Sequence, residues 1–102
     1  MAETFQSLIK GEKPVLVDFT ATWCGPCKMM APVLHDLKAK VGDQLSIIKI
    51  DIDQSPQAAA AYQVQSVPTF ILFKGGKILW RQSGAMPLAY LEQQLSTAGA
   101  FS

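Results

Sequence analysis

Residues 15–30 read VLVDFTATWCGPCKMM, and both cysteines of the chain, Cys24 and Cys27, fall inside them. The first part, Val15 to Thr20, is a short apolar, β-branched run. Apolar side chains on both alternating faces suit a central parallel strand covered on both sides. Past the cysteines, Met30, Val33, Leu34, Leu37 and Val41 recur at i, i+3, i+4, i+7 and i+11, the stripe of an amphipathic helix that Gly42 terminates. Lys38 and Lys40 stand where the negative end of its dipole favours cations. Leu45 to Asp51, LSIIKID, then reads as a second strand. Strand, helix and strand in this order predict a right-handed, parallel βαβ unit with the cysteines at its first turn.

The flanks extend this frame. Upstream, Glu3 to Lys10 places Phe5, Leu8 and Ile9 on one helical face with Thr4 as a cap, and Gly11 and Pro14 frame a turn. Downstream, Ser55 and Pro56 read as N-cap and first position of an alanine-rich helix through Tyr62. Thr69 to Phe73 and Lys77 to Ser83 flank Gly75 and Gly76, the signature of a hairpin turn needing positive φ. Gly84 breaks the second of these strands. Leu88, Leu91 and Leu95 define a last amphipathic helix, and Gly99 onward reads as a frayed tail. The sum is an α/β chain in which a parallel βαβ half precedes an antiparallel ββα half around one sheet.

Composition bounds the possibilities. With 102 residues, 49% of them hydrophobic and 17% charged, the chain is globular and long enough to bury one core, which predicts a single domain over residues 1–102. The formal net charge of +1 and the lack of any basic block give no reason to expect nucleic acid or an anionic membrane as partner. No run approaches transmembrane length, and the N-terminal stretch lacks the pattern of a secretion signal. A reducing cytosol is the expected compartment.

Three readings compete for TWCGPCK, residues 22–28. As a staple the pair is poor, because closing a four-residue loop gains roughly 2 kcal/mol at most. A structural zinc site needs four ligands, and His35, off the apolar stripe, is the one further nitrogen or sulfur candidate of the usual kind. A redox pair has geometry in its favour. If the helix begins at or just after Cys24, the two cysteines stand one turn apart, within the Cα separation that a disulfide needs. Cys24, at the helix start, would face unpaired N–H groups and the positive end of the dipole, which favour a thiolate. Cys27 should be the more buried of the two and should resolve the mixed disulfide. Pro26 fits the first turn, where its missing N–H is no loss.

WCGPCK after VDFTAT, followed in order by KIDID, VPTFILF, GGK and SGA, resembles the thioredoxin family across nearly the whole chain. The resemblance implies the thioredoxin fold, with a central mixed sheet of four or five strands flanked by helices. It also implies a protein-disulfide reductase that works on disulfide-containing client proteins, serves electron transport and cell redox homeostasis, and is recycled by a thioredoxin reductase or equivalent donor. No metal or tightly bound organic cofactor is implied, and the chain should be a monomer. Gly25 and Pro26, between the cysteines, offer no histidine to stabilise the thiolate, which suits a reductant.

Other residues gain sharper readings from the same resemblance. Asp18 lies inside an apolar strand, where an unpaired carboxylate is costly. It is either turned to solvent at the strand end or buried with a raised pKa as a proton relay; the resemblance favours the relay, with Lys49 on the neighbouring strand as its partner. Val67 and Pro68 match the family's cis-proline motif, although base rates alone favour trans, and the Val67 backbone would then be open to an extended client strand. Trp23 and Ile52 are expected on an apolar rim, and Gly84 beside the active site; each could instead be an ordinary core or strand-end residue. Pro32, inside the helix, has a structural reading, and Trp80 is either core cover or an exposed contact. Departures from the family pattern are Thr20, where an aromatic is common, Ser66, where glycine is common, and a start about one strand late, which would leave Leu45 to Asp51 as an edge. Two rivals remain at this point: a docking module with incidental redox chemistry, and an oxidant or isomerase of another compartment.

Overall fold

The computed structural model describes residues 5–101. Its elements run α1 (Phe5–Lys10), β1 (Val15–Thr20), α2 (Gly25–Val41), a 3-10 turn (Gly42–Gln44), β2 (Ser46–Asp51), α3 (Pro56–Ala61), β3 (Thr69–Lys74), β4 (Lys77–Ser83) and α4 (Leu88–Ala98). The sheet order among the described residues is β2-β1-β3-β4. β1 pairs with β2 in parallel and with β3 antiparallel, and β3 pairs with β4 antiparallel. These four strands settle the choice between four and five within the described residues, with β2 as an edge. The Thr4 cap lies outside them.

Alternation along the strands builds two cores, one on each face. Leu16, Phe70 and Leu72 point to the side covered by α2 and α4, where Met30, Leu34, Leu37, Leu91 and Leu95 meet them. Val15, Val17, Phe19, Ile71 and Phe73 point to the other side, against Ile9 of α1 and, near α3, Ala58 and Tyr62. Burying each such large side chain contributes about 1.5–3 kcal/mol. Both faces of β1 and β3 are therefore dry, as their largely apolar sequence requires, with Asp18 as the charged exception in β1.

Two local readings need correction or completion. Gly99 does end α4 in a left-handed conformation (φ 96°), but the two described residues beyond it, Ala100 and Phe101, are not frayed. Ala100 is buried and Phe101 packs against the α2/α4 core, because the reversal at Gly99 turns the apolar end back onto the sheet. Trp80 proves to be core cover: it packs on the same cluster and donates from Nε1 to Gln94 Oε1 at 3.1 Å. At the hairpin, Gly75 and Gly76 take φ of 60° and 79°, which side chains with a Cβ resist.

Candidate active site

The β1–α2 junction sets the two sulfurs. Cys24 is the N-cap of α2, in extended conformation (φ −93°, ψ 113°), and its Sγ accepts the Cys27 N–H at 3.1 Å. One of the orphan donors of the helix start is thus aimed at sulfur. Pro26, in the first turn, loses no helical hydrogen bond there. Cys24 and Cys27 form a disulfide with Cα atoms 5.3 Å apart, a separation that one helical turn supplies without rearrangement. Gly25 is exposed and a Cβ there would meet nothing within 4 Å, so packing does not demand glycine at this position. His35 is exposed on the outer face of α2.

Burial differs from the sequence-based expectation. Cys24 is 4% exposed and Cys27 7%, so the outer cysteine is no more open than the inner one. The cause is tertiary: Ala21, Ile52 and Val67 pack around the sulfurs, and the Val67 carbonyl oxygen stands 3.6 Å from Cys24 Sγ. The Val67–Pro68 bond is cis. Among the described residues no backbone or side-chain group bonds the Val67 N–H. Gly84 (φ 99°) donates its N–H to the Pro68 carbonyl at 2.8 Å, which brings the end of β4 alongside the same loop. Ser66 contributes its carbonyl to Thr69 Oγ1 at 2.7 Å.

Beneath the helix, Asp18 is 2% exposed, and its Oδ1 has no hydrogen-bond partner among the described residues. The solvent-facing alternative is excluded, because Asp18 lies on the same face of β1 as Leu16, under α2. Burial pushes its carboxyl up to about 6, with the charge of Lys49 opposing the shift. Lys49 sits directly across from Asp18 in the parallel register. It lines a recess of about 380 Å³ together with Thr20, Ala21, Thr22, Cys27, Lys28 and Ala31. An aromatic side chain in place of Thr20 would occupy space at that recess.

Trp23 stands 66% exposed beside the disulfide, and its Nε1 donates to Asp53 Oδ2 at 2.8 Å. Asp53 was not singled out from sequence. Its place is fixed by Asp51, whose Oδ1 accepts the N–H groups of Asp53 (2.8 Å) and Gln54 (3.3 Å). An Asp at a strand end, able to accept the N–H groups two and three residues on, carries that turn signal, but nothing in sequence links residue 53 to residue 23. Ile52, half-buried between these two aspartates, donates its N–H to Thr20 O at 2.9 Å and contacts the cysteine cluster. The elements thus bring together a disulfide with an apolar surround and a recess lined by both Cys27 and Lys49, with the buried Asp18 paired to Lys49 across β1 and β2.

Comparison with known proteins agrees with this geometry. A family model described as Thioredoxin matches residues 1–97. "Thioredoxin Y, chloroplastic" of Oryza sativa subsp. japonica is 48% identical over 100 residues, which cover 94% of this chain and 60% of that protein. "Thioredoxin 1" of Chlorobaculum tepidum is 44% identical over 99 residues, covering 96% of this chain and 98% of its own. The oxidised crystal structure of mitochondrial thioredoxin 3 from Saccharomyces cerevisiae superposes with a TM-score of 0.81 at 40% identity, covering 90% of this chain and 86% of that one. On the match of sequence, fold and cysteine pair together, the chain belongs to the thioredoxin family and is a thiol–disulfide oxidoreductase.

Proposed function

We propose that this chain reduces disulfide bonds in client proteins, with Cys24 as nucleophile and Cys27 as resolving thiol. The observation that carries the reading is the N-cap geometry: the Cys27 N–H aimed at Cys24 Sγ at 3.1 Å stabilises negative charge on that sulfur once the pair is reduced. In the forward direction the Cys24 thiolate attacks one client sulfur, forming a mixed disulfide and releasing the other client sulfur as a thiolate that takes up a proton. Cys27, after losing its own proton, attacks Cys24 Sγ; the second client thiol departs and the Cys24–Cys27 bond closes. Two electrons pass from the pair to the client.

Asp18 is suited to the second step, as the proton acceptor for Cys27. Its carboxyl, raised to about 6, exchanges protons near neutral pH, whereas an ordinary carboxyl would remain ionised. Lys49 limits that rise and so keeps the relay in range. The apolar rim of Trp23, Ile52 and Val67, with Gly84 at the end of β4, offers a surface for the client backbone. Val67 next to cis Pro68 provides an unpaired N–H for an extended segment. Gly25 and Pro26 leave the thiolate without a neighbouring positive side chain inside the loop, which favours a reducing potential. The oxidised pair returns to the dithiol by electrons from a thioredoxin reductase or equivalent donor, with the chain acting as a monomer in the cytoplasm.

The deciding experiment is the equilibrium reduction potential of the pair in defined thiol buffers, followed by thiol trapping. A potential below the cytosolic glutathione poise supports the reductase; one above it reverses the electron flow and makes the chain an oxidant or isomerase. Roles within the pair separate by trapping: Cys27→Ser is expected to accumulate a stable mixed disulfide with a client through Cys24. Cys24→Ser should accumulate none, and the reverse pattern would exchange the two assignments.

A further inference from the structure

The wall of the site facing Cys24 belongs to residues 62–68, which lie outside helix and strand and carry the Val67 carbonyl near their far end. Both ends of this segment are gripped by β4. At the near end, α3 closes with Gln63 in a left-handed conformation (φ 53°), Gln63 N–H donating to Ala60 O at 3.1 Å and Val64 N–H to Ala59 O at 2.9 Å. That closure satisfies carbonyls inside the helix and leaves those of Tyr62 and Gln63 outside it. Arg81 takes both: Nη1 donates to Tyr62 O, and Nη2 to Gln63 O at 3.0 Å. At the far end, Thr69 Oγ1 donates to Ser66 O, so its 2.8 Å contact with Ser83 Oγ has Ser83 as donor. Gly84 N–H completes the grip on Pro68 O.

We infer that Arg81 is a positioning residue, which holds residues 62–68 against β4 and so fixes where the Val67 backbone stands for an incoming client. The inference rests on the docking reading of Val67 given above. A guanidinium suits the task because its planar fork spans two adjacent carbonyls, which a single ammonium or amide does less well. Arg81 is paired across the sheet with Ile71, so its own backbone is fixed independently of the segment it holds. Its effect should fall on clients that engage the Val67 backbone and spare disulfides too small to reach it.

The test compares wild type with Arg81→Ala and Arg81→Gln, using insulin as the protein disulfide and dithiobis(nitrobenzoate) as the small one. For Arg81→Ala, losing two hydrogen bonds is expected to raise KM for insulin about fivefold. The kcat for insulin, the rate with the small disulfide and the reduction potential should stay unchanged, and exchange of the Val64 amide hydrogen, bonded to Ala59 O beside the two carbonyls Arg81 holds, should accelerate. An unchanged KM, or equal slowing on both disulfides, would overturn the inference. If Arg81→Ala does not fold, Arg81→Gln decides by the same comparison. Inability of the wild type to reduce either disulfide would instead count against the reductase reading itself.

Discussion

At the scale of single residues, Asp18 shows how one buried group links stability to pH. Its folded pKa, about 6, lies above its ordinary value of 3.8, so between these values the folded chain binds more protons than the unfolded one. Stability contributed by the neutral carboxyl is therefore present at low pH and is lost as pH rises through about 4 to 6. Asp18→Asn removes the cost of a buried charge; a shift of this size corresponds to about 3 kcal/mol of added stability at pH 7.5, fading toward pH 4. Denaturant unfolding of both proteins across that range checks the sign, and a gain that is flat with pH would locate the effect elsewhere. Lys49→Gln should act in the opposite sense on the same group, raising the Asp18 pKa further by removing the charge that holds it down. Infrared titration of the carboxyl reads this directly. Asp18 was legible as an anomaly in an apolar run; which face it occupied was not, because the strand's period carries no label for inside and outside when both faces are apolar.

Among the elements, α2 depends on its ends as much as on its stripe. Its N-terminus is capped by the nucleophile candidate itself. At its C-terminus, Lys38 does more than complement the dipole: its Nζ donates to Gly42 O at 2.8 Å and to Leu45 O at 2.7 Å, tying the helix through the 3-10 turn to the start of β2. Lys38→Met keeps the aliphatic stem and removes both bonds, and should cost about 1 kcal/mol by thermal or chemical unfolding. An unchanged midpoint would mean that water replaces the ammonium without loss. Strand and helix bounds in this half were readable to within a residue or so, because periodicity and the turn residues agree there. The exchange in relative burial of the two cysteines was not readable, since the groups covering Cys24 come from residues 52 and 67, far along the chain.

For the molecule as a whole, the sheet separates two cores that do not share side chains. Ile71 and Leu95 lie in different clusters, on opposite sides of β3. Ile71→Val is expected to cost about 0.5–1.5 kcal/mol and Leu95→Ala about 2–5 kcal/mol. The double variant should equal their sum within about 0.5 kcal/mol, because sites without common partners act independently. A coupling of more than about 1 kcal/mol, measured by a denaturant double-mutant cycle, would show that the two faces communicate through the strand.

The sequence by itself determined the order and kind of the elements, the helix start at the cysteines and the chemistry of the pair, because these depend on short-range periodicity, capping and spacing. The apolar runs of β1 and β3 also required a sheet covered on both faces. Only the tertiary structure decided what surrounds the disulfide. Val67 and Ile52 over the sulfurs, Asp53 on the Trp23 indole, Arg81 on the loop after α3 and the return of Ala100 to the core are contacts between residues remote in the chain. Their geometry follows from how whole elements pack, and no local pattern encodes which exposed carboxylate, guanidinium or carbonyl will meet which partner.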